Sequence, residues 1–136
     1  MKVKLDKGAF APTRAHGTDA GLDIYALHDG VIKPFSGMTF ETGVHVELPK
    51  GTAGLLVAKS GLSTNYDVTS TGLIDEGYTG AIKVKLYNHG SHSHIVTAGQ
   101  KISQLVIIPV LYEDVEIVDE LEQTERGNAG FGSTGV

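Results

Sequence analysis

The chain has no cysteine, which removes a disulfide framework, thiolate catalysis and any cysteine-ligated zinc site. The absence also fits a reducing compartment. No run approaches the ~20 apolar residues that cross a bilayer. Met1-Lys2-Val3-Lys4-Leu5-Asp6 lacks the apolar stretch of a secretory leader. The expectation is a cytoplasmic protein with no membrane contact. A basic face is missing too. The formal charge is −5, and lysine and arginine are scattered singly or in pairs, whereas duplex-binding proteins gather them in a stripe. Nucleic acid is therefore not expected as a partner. An anionic small molecule stays open, provided local cations, backbone amides or a metal ion offset the general repulsion. Lastly, no helical period survives between the 18 glycines.

What is present is a series of short apolar or alternating runs. Leu22 to Ala26, Val31 to Lys33, Met38 to Phe40, Val44 to Leu48 and Gly54 to Ala58 read as strands. So do Tyr66 to Val68, Ala81 to Asn88, His94 to Val96, Ile102 to Val110 and Val115 to Val118. Gly30, Pro34, Gly37, Gly43, Pro49-Lys50-Gly51, Gly90 and Gly99 separate them. Strands this frequent predict an all-β fold, a jelly-roll-like antiparallel barrel or sandwich. One short helix is expected from Ser60 towards Tyr66, with Ser60 as its N-cap. Ile102 to Val110 is almost continuously apolar, as a central strand would be. At 136 residues a single domain is expected, with a β core over 1–119. From Glu120 the chain turns charged and then glycine-rich, so 120–136 is expected to be a flexible tail.

The most informative stretch is Gly72-Leu73-Ile74-Asp75-Glu76-Gly77-Tyr78-Thr79-Gly80. An apolar lead-in delivers a carboxylate, a turn follows, and then an aromatic ring. Gly77 and Gly80 are expected to supply positive φ for a short hairpin. A carboxylate and a ring held together on one rim can act as general base and stacking platform. Asp75-Glu76-Gly77 is equally ordinary turn chemistry.

Other candidates surround it. Lys59 and Ser60 at the helix start could hold an anion, or Ser60 could simply cap. Asp23, inside an apolar strand, needs a partner or a metal shell. Gln104 interrupts another apolar strand and needs a ligand or a backbone group. His89-Gly90-Ser91-His92-Ser93-His94 reads as a solvated loop rather than a metal site, with no acid or cysteine beside it. Gly127 to Thr134 nearly spells a P-loop, but Ser133 stands in the lysine position and no strand–helix frame surrounds it. Its glycines and hydroxyls, with Arg126, could still face phosphate oxygens, and Phe131 could close over a flat ligand.

Taken in order, Ala20 to Ala26, Lys59-Ser60-Gly61-Leu62, Gly72 to Gly80, Gly99 to Gln104 and Arg126 to Gly135 resemble the five motifs of the trimeric dUTPase family. The resemblance covers nearly the whole chain from about residue 17. It implies a jelly-roll-like fold, a homotrimer with active sites shared between subunits, and hydrolysis of dUTP to dUMP and pyrophosphate with Mg²⁺ on the triphosphate. Asp75 would then be the general base, and Tyr78 the deoxyribose platform that rejects a 2′-hydroxyl. The hairpin, with Gly72, Ile74 and Lys83 among the substrate contacts, would read uracil. Ser60 and Gly61, beside Lys59, would hold phosphate oxygens, and Gln104 the α-phosphate. Asp23 would face the water shell of the metal. Arg126, Gly132, Ser133 and Thr134 would clasp the γ-phosphate end while Phe131 stacks on the base.

The chain departs from the family pattern where Lys59 and Lys101 stand for arginines, Gln100 for an aspartate and Ala129 for a glycine. Lys59 replaces a bidentate fork by a point charge. These changes bear on phosphate affinity and tail geometry. A dCTP deaminase-like enzyme of the same fold would need a glutamate where Lys85 stands. A third possibility is a scaffold kept as a protein-binding module, since phage relatives imply a regulatory protein partner.

Overall fold

The computed structural model describes residues 1–130. Its elements are β1 (Lys2–Leu5), β2 (Gly21–Tyr25), β3 (Gly30–Ile32), β4 (Ser36–Glu41), β5 (Val44–Glu47), β6 (Thr52–Ala58), α1 (Ser60–Tyr66), β7 (Val68–Ile74), β8 (Lys83–Asn88), β9 (His94–Val96) and β10 (Lys101–Pro109). All pairings are antiparallel. A six-stranded sheet runs β2-β10-β6-β7-β8-β4, and two-stranded ribbons β1-β5 and β3-β9 close over it. The result is a jelly-roll-like sandwich, as the turn spacing predicts. Among the described residues no helix is long and apolar enough to cross a membrane.

Alternation explains the layers. In β8, Val84, Leu86 and Asn88 are buried while Lys83, Lys85 and Tyr87 face out, because successive side chains leave a strand on opposite faces. Ile24, Ile32, Val44, Val68, Ile82, Leu86, Val96, Ile102 and Leu105 meet in one core. β10 lies between β2 and β6, which is why its sequence reads as nearly unbroken apolar residues. Asn88, 2% exposed, donates from Nδ2 to the Ile32, Lys33 and His92 carbonyls and accepts from Gly90 N–H. That one amide ties the β3–β4 turn to the histidine loop, where His89 and His92 are exposed. His94 packs its ring on Tyr66 with centroids 4.9 Å apart.

Several expectations need correction. Tyr66 ends α1, and the strand that follows is Val68–Ile74, longer than the run Tyr66 to Val68 suggested. Threonines, a serine and a glycine dilute its apolar signal. β1 was not expected; it is exposed along its length and forms only through pairing with β5. Val115 to Val118 forms no strand, and Val115 and Ile117 are 91% and 95% exposed. Alternation specifies a face, but a strand also needs a neighbour to bond. Lys59, not Ser60, is the N-cap of α1, and no side chain caps it. Asp67 closes the helix in the left-handed region at φ 55°.

The connection after β7 also differs. Neither Gly77 nor Gly80 has positive φ, because the link is not a tight hairpin. β7 pairs with β8 only over Val68 to Ser70, and its second half pairs with β6 instead. The strands diverge, so residues 75–82 form a broad loop that needs no mirror-image turn. Gly80 is required for a different reason. A Cβ there would lie 2.5 Å from the Tyr78 hydroxyl, so glycine lets the ring fold back onto the chain.

Candidate active site

Outside the tail, the candidate side chains gather in two groups, one near each end of β6. Ile74 is opposite Gly54 in the β6–β7 register, which sets Asp75 just past the start of β6. Tyr78 N–H donates to the Asp75 carbonyl at 3.0 Å, closing a turn, and Tyr78 Oη donates to the Ala81 carbonyl at 3.0 Å. Asp75 is exposed, as is one face of Tyr78. Leu73, Ile74, Asp75, Tyr78 and Lys83 line a cleft of about 260 Å³. Gly72 lies behind them in β7 opposite Leu56, and Lys83 is paired with Glu41 at 2.8 Å, which raises the pKa of the lysine.

This loop is pinned from two sides. Gly51 N–H and Tyr112 Oη donate to Glu76 Oε2 at 2.7 and 2.8 Å. The Gly51 N–H, then Tyr112, hold the Glu76 carboxyl below the usual carboxylate range. At the other side, His45 Nδ1 lies 2.9 Å from the Thr79 carbonyl. Neither contact was legible beforehand, since Tyr112 and His45 are far from the loop in sequence.

The second group lies at the opposite end of β6. Asp23, 3% exposed, accepts from Lys59 Nζ at 2.6 Å on one oxygen and from Lys101 Nζ at 2.7 Å on the other. Gln104, its register partner on β10, reaches Oδ1 at 3.5 Å. Burial pushes the Asp23 carboxyl up, but the hydrogen bonds and charges of Lys101 and Lys59 outweigh it, so the group lies below its ordinary value. Asp23 raises the pKa of Lys101 in return. The buried acid thus has the partners its position demands. Lys101 was noted in the sequence only as a replacement for arginine; its role as second counter-ion comes from the β2–β10 pairing. Gln100 folds back over its own turn, its Oε1 accepting from Thr97 N–H at 3.1 Å. Ser60 and Gly61 are exposed at the first turn of α1.

The two groups do not meet within one chain. Gln104 is opposite Val57 and Lys59 follows Ala58, whereas Asp75 sits level with Ala53. At the strand rise this offsets Asp75 from Gln104 by about 13 Å along the strands, with β6 between them, and from Lys59 by about 20 Å. Arg126 is exposed in a turn where its Nε donates to the Ala129 carbonyl at 3.1 Å, and it bonds to neither group. Phe131, Gly132, Ser133 and Thr134 lie outside the described residues.

The donor set can be tested against a metal. Among the described residues no cluster of three or more histidine, cysteine or acidic side chains could hold an ion. Mg²⁺ commonly arrives on phosphates with much of its water retained and one or two carboxylates nearby. Asp23 has about four acceptor positions as a carboxylate, and its two lysines leave some for a metal-bound water. The residues fit an ion carried by a substrate.

Fold and site together define a jelly-roll β protein with a split polar site, an exposed acid on one rim and a lysine–carboxylate–amide cluster on another. The chain belongs to the dUTPase family, whose model matches residues 8–135. It is 45% identical over 140 residues to the deoxyuridine 5′-triphosphate nucleotidohydrolase of Gloeothece citriformis, covering 100% of this chain and 97% of that protein. A Staphylococcus bacteriophage 80alpha dUTPase variant with dUpNHpp superposes with a TM-score of 0.88 at 33% identity, covering 99% of this chain and 98% of that one. That structure belongs to a description of phage dUTPases controlling transfer of virulence genes. A variant of the phage phi11 dUTPase of S. aureus, described with a structural Mg(II) ion, has a TM-score of 0.83 at 29% identity and covers 90% of this chain and 98% of that one.

Proposed function

We propose that this chain hydrolyses dUTP to dUMP and pyrophosphate, water attacking the α-phosphorus in line with Asp75 as general base. The observation that carries the reading is the loop at the end of β7. It places a residue with an exposed carboxylate and one with an aromatic ring in a single turn, closed by the backbone bond from Tyr78 N–H to the Asp75 carbonyl, in a chain of the dUTPase family. A positioned base of this kind contributes ~10²–10⁴-fold. Tyr78, held down by its bond to Ala81, packs on the deoxyribose and leaves no room for a 2′-hydroxyl. The adjoining stretch, with Gly72, Ile74 and Lys83, contacts the uracil. Cytosine would set a donor against a donor, a mismatch that discriminates by ~10⁴ or more.

Lys59, Ser60, Gly61 and Gln104 take the phosphates. Arg126 with Phe131, Gly132, Ser133 and Thr134 closes the γ-phosphate end and the base, as a tail from 120 onward. Mg²⁺ bound with the triphosphate would supply charge neutralisation at the phosphate oxygens, and Asp23 would face its water shell. A general base must stand within hydrogen-bond reach of its water, directly or through one more. Asp75 and Gln104 of one chain are too far apart to act on one α-phosphorus. That separation supports sites shared between subunits, each combining the Asp75 loop of one with the Lys59–Gln104 cluster of another, in the homotrimer that the family resemblance implies. Lys85 is an exposed lysine on β8, so a dCTP deaminase-like reaction lacks its carboxylate. Control of gene transfer is stated for phage dUTPases, and a regulatory partner would be a second use of the same scaffold.

The test is pyrophosphate release from dUTP, dCTP, dTTP and UTP with Mg²⁺. Only dUTP should respond. Asp75→Asn should stay folded and bind dUTP but lose about 10²-fold or more in kcat. Retention of more than roughly a tenth of wild-type kcat removes Asp75 from the base role.

A further inference from the structure

His45 has both ring nitrogens within hydrogen-bond distance of atoms that can only accept. Nδ1 lies 2.9 Å from the Thr79 carbonyl, and Nε2 lies 3.2 and 3.1 Å from the two carboxylate oxygens of Asp6. A neutral imidazole has one N–H and cannot donate to both; the doubly protonated ring can. The site is built for it. The His45 side chain is 19% exposed, in β5, and Asp6 follows β1 with its backbone N–H bonded to the Gly43 carbonyl at 2.9 Å. Gly43 takes φ 65°, where side-chain-bearing residues are rare. Next along the chain, Val44 O receives Ile82 N–H at 2.8 Å and Thr42 Oγ1 donates to Ile82 O at 2.7 Å. The far end of the 75–82 loop is therefore fastened to β5, and His45 grips it again at the residue after Tyr78.

We propose that His45, as an imidazolium bridging Asp6 and the Thr79 carbonyl, is a positioning residue that holds the Asp75–Tyr78 turn in its working geometry. The clamp loosens as pH rises. This rests on the functional reading above for its effect on turnover, but the clamp itself is a property of the fold.

The surrounding charges bear on the direction. The Thr79 carbonyl, then Asp6, raise the pKa of His45, while Lys4, its register partner on β1, lowers it. On the same ribbon Lys2 and Glu47 are paired with each other at 2.8 Å. The net displacement is upward. A group with a raised folded pKa contributes stability that is fully present below the unfolded value, about 6.5 for histidine, and is lost as pH rises through the folded value. Above it, one ring nitrogen becomes an acceptor facing an acceptor, and one of the two contacts is broken.

The experiment uses the full chain. NMR titration of the His45 ring should give a midpoint above that of free histidine, and Asp6→Asn should lower it. A midpoint at or below the free value overturns the clamp. Exchange protection of the Tyr78 amide should fall as His45 deprotonates, and should be low at every pH in His45→Leu; protection indifferent to both overturns it as well. In turnover, His45→Leu should lower kcat roughly tenfold, inside the 10²-fold that a 1 Å misplacement can cost, with KM little changed. His45→Asn places an amide donor near the Nδ1 position without titrating. It should restore most of kcat and remove the part of the alkaline fall that His45 causes. Alkaline limbs identical in wild type and His45→Asn overturn the positioning role. Ring titration and amide exchange need no turnover, so an inert wild type would count against the functional reading and not against the clamp.

Discussion

Replacing both lysines around Asp23 gives the sharpest test of the buried cluster. The Asp23 side chain is 5% exposed, and its oxygens are met by Lys59 at 2.6 Å and Lys101 at 2.7 Å. Lys59→Met removes one charged hydrogen bond and leaves the other, a loss of about 1.5–3 kcal/mol. Lys59→Met/Lys101→Met leaves the carboxylate with only the Gln104 amide at 3.5 Å, and a buried charge stripped of its partners costs about 3–5 kcal/mol. Asp23→Asn should cost less than the double variant, because the freed ammonium groups belong to side chains 25% and 41% exposed and can turn to water.

The pH dependence then reverses. In the wild type the Asp23 pKa is depressed, so its contribution is present above the unfolded value, about 3.9, and is lost as pH falls through the folded value. In the double variant burial outweighs the long Gln104 contact, and burial raises the pKa of the acid. The folded state then binds the proton more tightly, and stability relative to wild type should rise as pH falls from 7 towards 4. Urea unfolding at fixed protein concentration, at both pH values, measures this. A loss under about 1 kcal/mol at pH 7, or parallel pH profiles, would refute the claim that the two lysines neutralise Asp23.

Gly80→Ala sets a methyl group 2.5 Å from the Tyr78 hydroxyl, so the ring must swing off its bond to Ala81. The UTP-to-dUTP ratio of kcat/KM should rise while the fold is kept; an unchanged ratio would count against Tyr78 as the sugar platform. Truncation before Gly127 removes Phe131, Ser133 and Thr134 but no strand among the described residues, where β10 ends at Pro109. Thermal unfolding should be unmoved and kcat/KM for dUTP should fall, and an unaltered kcat/KM would dispose of the closing role of the tail.

Much of the protein was decided by local pattern. Turn residues at short intervals and period-two alternation specified an antiparallel β fold, and the dense apolar run around Ile102 to Val110 specified its central strand. Asp23 announced itself as a buried acid because an ionisable side chain inside an apolar strand must find a counter-charge. Asp75 and Tyr78 were legible as a pair because they lie within one turn of chain. Pairing information was different. Val115 to Val118 is a mostly β-branched apolar run, yet has no strand to bond among the described residues of this chain, and exposed Lys2–Leu5 is a strand only because β5 lies beside it. The second lysine on Asp23, the Glu76–Tyr112 anchor and the His45 bridge join residues distant in sequence. Their energy depends on ångström-scale distances that no periodicity encodes. The ordered fold of β6 likewise sets Asp75 and Lys59 at opposite ends of one strand. Chain order supplied the chemistry, and three-dimensional register divided it into two halves.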